Sequence, residues 1–165
     1  MLSRTADHLF WMSRYTERAE NTARMLNVSY ETSLLPQSDA VAQVGWQGLL
    51  SISELLSTYT DRYGAIEAKK VMDFMVKDES NPSSILSCLG AARENARAVR
   101  GTLTTEVWET QNQTWLEVNR MLKEFEQMQD MMKKMRGGGL MKMMKKLGGM
   151  KGMPGMGGGG FPGMR

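Results

Sequence analysis

Arg14, Glu17, Arg18, Asn21 and Arg24 fall at helical spacing near the start of the chain. Residues three and four apart share a helix face, so a helix here gathers three guanidinium groups, a carboxylate and an amide. Arg binds carboxylates and phosphates in a bidentate fork. A recessed face of this kind would bind such an anion. An ion-pair network is the alternative, because Glu20 precedes Arg24 by four residues, the favourable order. Exposed pairs of this sort contribute about 0–1 kcal/mol each. A second set, Arg93, Glu94, Asn95 and Arg97 with Arg100, has the same chemistry. If the two segments pack as helices, Arg and Glu from each can interlock.

Other chemistry is poorly provided for. His8 is the only histidine and Cys88 the only cysteine. Together they make no triad and no metal set, so no catalytic residue, metal or cofactor is expected. Cys88 sits in an apolar helical pattern and reads as a buried, reduced thiol. There is no phosphate-cradling loop, and the glycines near the C-terminus follow no strand. The reading leans away from an enzyme.

The elements that must position these residues are helices. Leu9, Met12, Tyr15, Ala19, Ala23, Leu26, Tyr30 and Leu34 recur at three- and four-residue steps. Ser3 is a candidate N-cap and Pro36 ends the pattern. A second helix is predicted from Asp39 to Tyr59, followed by a turn at Asp61–Gly64. A short third helix carries Ile66, Val71, Phe74 and Met75. Ser80-Asn81-Pro82-Ser83 reads as a helix start, with Asn81 as cap and Pro82 in the first turn. The helix after it uses Ile85, Leu86, Leu89, Ala92, Ala96 and Val99, and Gly101 weakens it. Trp108, Trp115 and Leu122 then recur every seven residues, as do Gln111, Val118, Phe125 and Met132. They predict one long final helix over about 105–136. The fold class is all-α: a helical bundle with a long final helix and a disordered Gly/Met/Lys-rich tail.

Composition changes abruptly at Val118. Residues 1–117 carry 11 Lys and Arg against 15 Asp and Glu; residues 118–165 carry 10 against 3. Net charges of −4 and +7 hide inside the overall +3. Twelve of the 17 Met lie in the second part. Leu140, Met143, Met144 and Leu147 share one face of a two-turn helix, with Lys142, Lys145 and Lys146 opposite. Such a helix orders only against a partner. Met faces repack around varied apolar ligands, and interleaved Lys attracts phosphates. No stretch approaches the length of a membrane span. No cleavable leader is expected, since Arg4, Asp7 and Arg14 interrupt the N-terminal apolar residues. A cytoplasmic protein follows, in which the sequons at Asn27 and Asn112 carry no meaning.

Two resemblances sharpen this reading. Met1 to Asp7, then Trp11-Met-Ser-Arg14-Tyr15-Thr-Glu17-Arg18-Ala-Glu20-Asn21-Thr-Ala-Arg24, resemble the opening of the alpha-E family. Asn81-Pro82-Ser83-Ser84-Ile85, Ala92-Arg93-Glu94-Asn95-Ala96-Arg97 and Glu106-Val-Trp108-Glu109 fit its later motifs in order. The resemblance covers residues 1–117. It implies an all-helical bacterial domain named for a Glu-Arg motif, here Glu17-Arg18. It also implies gene neighbours of the ATP-grasp and transglutaminase-like kinds, hence a part in peptide ligation or modification. Family members are about twice as long, so this region is expected to be a truncated domain.

Residues 118–165 resemble the end of the Met-rich M domain of the bacterial signal recognition particle GTPase. Val118-Asn119-Arg120-Met121-Leu122-Lys123-Glu124-Phe125 through Met135 and the closing Gly160-Phe161-Pro162-Gly163 carry the likeness. The loop that normally precedes this helix, and makes much of the RNA contact, is missing. The resemblance implies RNA contacts from Asn119 and Arg120, and the basic pattern adds Lys123, Lys133, Lys134, Lys142, Lys145 and Lys146 as RNA-binding candidates. The resemblance also implies apolar-peptide contacts from Met128, Met131, Met132 and Met135, and the apolar face of the two-turn helix adds Met143 and Met144. The expected organisation is an alpha-E-like region over 1–117, an M-domain-like helix over 118–136 and a flexible tail over 137–165. The first functional reading is a non-catalytic binding protein. Its tail contacts RNA, signal-type apolar peptide or an anionic membrane surface. The second is an accessory subunit of an ATP-grasp/transglutaminase-type system, working through the Glu17-Arg18 face. A fusion, natural, engineered or artefactual, without integrated function is the third.

Overall fold

The computed structural model describes residues 2–134. They form six α-helices and one 3-10 turn, without a strand among the described residues. The helices are α1 (Leu2–Ser33), α2 (Asp39–Ile52), α3 (Leu56–Tyr63), α4 (Ala68–Val76), α5 (Ile85–Ala98) and α6 (Thr105–Lys134). The described residues adopt the expected all-α fold with a long final helix. It divides into two units, Met1–Arg120 and Met121–Arg165. The expected end of the last helix at Arg136 and the tail beyond it lie outside the described residues.

In the first unit, α1 and α5 lie side by side and antiparallel. His8 meets Asn95 near one end (Nδ1 to Oδ1, 2.9 Å), and Ala19 packs on Cys88 and Leu89 further along. Small residues permit this close approach: Ala19, Ala92 and Ala96 are all buried. Trp115 and Val118 of α6 cover the same cluster, together with Tyr15. Cys88 is fully buried, as its apolar setting predicts. The stripe that α1 buries differs from the predicted one. Thr22, not Ala23, sits between Ala19 and Leu26, and Tyr30 and Leu34 are exposed.

The larger core gathers the end of α1 with α2, α3 and α4. Leu26, Trp46, Leu49, Leu50, Tyr59, Val71, Phe74 and Met75 form it. Tyr59 stacks on Tyr63 at 5.2 Å and meets the edge of Phe74 at 5.4 Å. Each side chain buried here stabilises the fold by about 1.5–3 kcal/mol.

Three local predictions are corrected. The helix expected from Asp39 to Tyr59 ends at Ile52, because a left-handed residue closes it. Glu54 has φ 57°, its N–H donates to the Ser51 carbonyl (3.0 Å), and Leu55 N–H donates to the Leu50 carbonyl (2.9 Å). This is a Schellman ending. The turn expected at Asp61–Gly64 shrinks to Gly64, since α3 runs through Tyr63. Finally, α5 is capped by Ser84, whose Oγ accepts the Ser87 N–H at 3.2 Å, and not by Asn81. Asn81 is otherwise engaged and fully buried. It donates to the Phe74 carbonyl at 3.1 Å and accepts the Ser83 N–H at 2.9 Å, fastening the loop to the end of α4. Gly101 lies in the 3-10 turn Arg100–Thr102 that follows α5.

Candidate functional site

α1 carries two parallel stripes. Tyr15, Ala19, Thr22 and Leu26 face the core. One residue earlier, and so about 100° around the helix, run Arg14, Arg18, Asn21 and Met25. This second stripe forms one wall of a cleft of about 340 Å³. Glu17 and Thr22 complete that wall. The opposite side comes from the turn between α2 and α3 through Ser53, Glu54 and Leu55. Met75 of α4 and Ser83 before α5 finish the lining.

Two arginines and two glutamates therefore share one recess. Arg14 and Glu17 are paired, Nη1 to Oε2 at 2.6 Å, with side chains 51% and 55% exposed. Arg18 has no carboxylate partner among the described residues. Its guanidinium lies 5.9 Å from the Tyr15 ring centroid. It also acts on Cys88: burial pushes that thiol up, and the Arg18 charge pulls it the other way. Glu54 has no cationic partner among the described residues either.

Backbone strain singles out Glu54. It is the one non-glycine residue with positive φ among the described residues. The left-handed position of a Schellman ending is usually glycine, because a Cβ there crowds the following carbonyl. The chain keeps a carboxylate where glycine would fit better, and that carboxylate borders the cleft.

The remaining predicted residues do not join this recess. Arg24 pairs with Glu20 at 2.5 Å on the exposed side of α1. Arg93 donates through Nε to Asn112 at 2.7 Å and lies 4.8 Å from the Trp115 ring centroid. Glu94 pairs with Arg93 and Arg97 within α5. Asn95 holds His8 and donates to the Ala91 carbonyl at 2.8 Å. The interlocking of Arg and Glu between α1 and α5 is thus corrected. Each of these ion pairs closes within its own helix, because small residues at the α1–α5 contact leave no room for charged side chains.

The predicted residues of α6 behave individually. Asn119 donates to the Trp115 carbonyl at 2.8 Å. Arg120, Lys123 and Lys134 are exposed, and Lys133 pairs with Asp130 at 3.5 Å. Met128, Met131 and Met132 are exposed. Met135, Lys142, Met143, Met144, Lys145 and Lys146 lie outside the described residues. Among the described residues no cluster of three or more His, Cys, Asp or Glu is placed to hold a metal ion. No described helix is long and apolar enough to cross a membrane.

Comparison with protein families places the chain as a whole. The alpha-E family, described as a predicted alpha-helical domain with a conserved ER motif, matches residues 1–148. The chain belongs to the alpha-E family. Its Glu-Arg pair is Glu17-Arg18, the one place in the sequence where Arg directly follows Glu. The alpha-E match runs past residue 117 and through most of the stretch that resembles the M domain. The fusion reading has no support beyond that resemblance. No curated protein and no solved structure matches the chain.

Of the residues that line the cleft, sequence reasoning named Arg14, Glu17, Arg18 and Asn21 of α1 as site candidates and not the others. Ser53 and Glu54 lay inside a helix predicted to continue, and Ser83 inside a capping motif. The two serines at 51 and 53 weaken a helix but do not locate its end. Only the backbone shows that Glu54 turns left-handed.

Proposed function

We propose that this alpha-E chain is a non-catalytic recognition module. Its cleft binds a small ligand through an anionic group, carboxylate or phosphate. One observation carries the reading: the family's Glu-Arg pair lies in a recess, and among the described residues Glu17 is committed to Arg14 while Arg18 has no carboxylate partner. A guanidinium that no carboxylate holds can take up one from a ligand. The recess is of small-ligand size. The role in the cell that best fits is accessory to a peptide-ligating or peptide-modifying system. Proteins of the ATP-grasp and transglutaminase-like kinds are the partners that the alpha-E resemblance implies.

The test is calorimetric titration of the whole chain with N-acetylleucine and with inorganic phosphate. Saturable heat with either, lost in Arg14→Ala or Arg18→Ala, supports the reading. Heat that persists unchanged in both variants places the anion elsewhere and refutes it.

A second reading rests on α6. Met121, Phe125, Met128 and Met132 recur along one stripe of it, and all are more than half exposed. Such a stripe suits an apolar peptide of the signal-sequence type, and its flanking Lys123, Lys133 and Lys134 suit RNA or an anionic surface. Without a shape-specific loop, RNA binding by these charges is sequence-independent and falls steeply with salt. Anisotropy titrations with signal recognition particle RNA and an unrelated hairpin should agree within a few-fold at two salt concentrations. A salt-resistant preference for the particle RNA would mean specific recognition instead.

A further inference from the structure

The charges of the cleft say more than that it holds an anion. Arg14 and Glu17 neutralise each other across 2.6 Å. That leaves Arg18 on the α1 wall and Glu54 on the turn that closes the other side. These two do not pair with each other, since no contact within 4.0 Å joins them among the described residues. A site for phosphate or another pure anion would carry excess positive charge. This one holds two cations and two anions and is balanced overall. A ligand that satisfies both leftover groups must itself carry one negative and one positive charge.

The rest of the lining narrows the class. Asn21, Thr22, Ser53 and Ser83 offer neutral donors and acceptors, and Met25, Leu55 and Met75 offer an apolar surface. Unbranched Met side chains adapt to aliphatic groups of differing shape. A volume of about 340 Å³ is at the low end for small-ligand sites.

We propose that the cleft binds the zwitterion of a free apolar amino acid. Arg18 takes the carboxylate, Glu54 takes the ammonium, and Met25, Leu55 and Met75 receive the side chain. This rests on the anion-binding reading above and adds to it the ammonium subsite at Glu54. It also gives a reason for a strained carboxylate at a position that favours glycine. The retained Glu supplies the negative charge that the α1 wall, with Glu17 occupied, does not.

Four probes separate the two claims: leucine, N-acetylleucine, leucine amide and inorganic phosphate, each titrated into the whole chain. Leucine is expected to bind at least about tenfold more tightly than either blocked form, since each blocked form leaves one charge-assisted contact unmade. Glu54→Gln is expected to weaken leucine by about tenfold and leave N-acetylleucine unchanged. Arg18→Gln is expected to weaken both. Circular dichroism of each variant establishes that it folds, and both positions are exposed. N-acetylleucine or phosphate binding as tightly as leucine would overturn the zwitterion and leave the anion site standing. Leucine amide binding as tightly as leucine would make Glu54 the sole anchor and overturn both. No saturable heat with any of the four would also overturn both.

Discussion

Replacing Glu54 with glycine should make this protein more stable, although it deletes a charged side chain at the candidate site. Glu54 has φ 57° and closes α2 with two backbone hydrogen bonds, Glu54 N–H to Ser51 and Leu55 N–H to Leu50. Neither bond uses the side chain, so both survive the substitution. For an L-residue the left-handed conformation costs about 1–2 kcal/mol. Glycine removes that cost and adds about 0.5–1 kcal/mol of unfolded-chain entropy. The difference favours Glu54→Gly by about 0.5–1 kcal/mol. In a chain of this length each kcal/mol moves the melting temperature by about 2–4 °C. Glu54→Gly should therefore melt about 1–4 °C higher by differential scanning calorimetry. Glu54→Ala is the control: it keeps the Cβ and the strain, and should stay within about 0.5 kcal/mol of the parent. A glycine variant that melts lower than the parent, or no higher than the alanine variant, would refute the strain argument. A glycine variant that is more stable but takes up leucine less well would show stability traded for binding at one residue.

Other substitutions test the frame around the cleft. Glu17→Ala should lower stability by less than about 1 kcal/mol, because its pair with Arg14 is half exposed; chemical denaturation that shows a loss above about 3 kcal/mol would point to a buried network instead. Asn81→Ala should be costlier, about 2–3 kcal/mol by the same assay, since it strands the buried Phe74 carbonyl and the Ser83 N–H. Phe74→Ala should cost about 3–5 kcal/mol, as it opens a cavity beneath Tyr59 and Tyr63. The acid limb of stability should depend on Asp78. Burial pushes its carboxyl up, but bonds from the Ser80 hydroxyl, the Tyr63 hydroxyl and the Ser80 N–H, with the Arg62 charge, outweigh burial and hold it below the ordinary value. A depressed folded pKa gives stability that is present above the unfolded value of about 4 and is lost as pH falls through the folded one. Urea midpoints at neutral pH and at about pH 3 should therefore converge for Asp78→Asn relative to the parent; an unchanged acid limb would exclude Asp78 as a contributor.

The helices were legible because their signal is repetitive. Tyr15, Ala19 and Leu26 mark the core-facing stripe of α1 by spacing alone, Trp108 and Trp115 a half-buried stripe of α6, and a long helix offers many such marks. What the sequence concealed depends on single residues in competition. Asn81 is a strong cap by type, yet the loop to α4 claims its side chain and Ser84 caps α5 in its place. Thr22 displaces Ala23 from the core stripe because the step from Ala19 to Leu26 is covered by three and then four residues, and either order fits the periodicity. The break after Ile52 has no sequence mark, since Glu is a good helix former and nothing in its type announces the left-handed conformation it adopts.

The candidate site shows the same division, and helix geometry separates the two members of its Glu-Arg pair. Adjacent residues lie about 100° apart around the axis, so Glu17 and Arg18 cannot point the same way. Glu17 falls three residues from Arg14 and is drawn onto it. Arg18 falls in line with Arg14, Asn21 and Met25 and faces the cleft. The pair thus divides its labour: the glutamate neutralises the neighbouring arginine, and the arginine presents the remaining positive charge. Reversing the order would undo this. Exchanging the two side chains keeps composition and net charge but sets two arginines three residues apart and turns a carboxylate toward Glu54. The double variant Glu17→Arg with Arg18→Glu should therefore fold, with its helical signal intact, and lose the saturable heat of leucine binding. Binding retained in the swapped protein would show that the order of the two residues carries no function, and would remove the main support for placing the site on this face of α1.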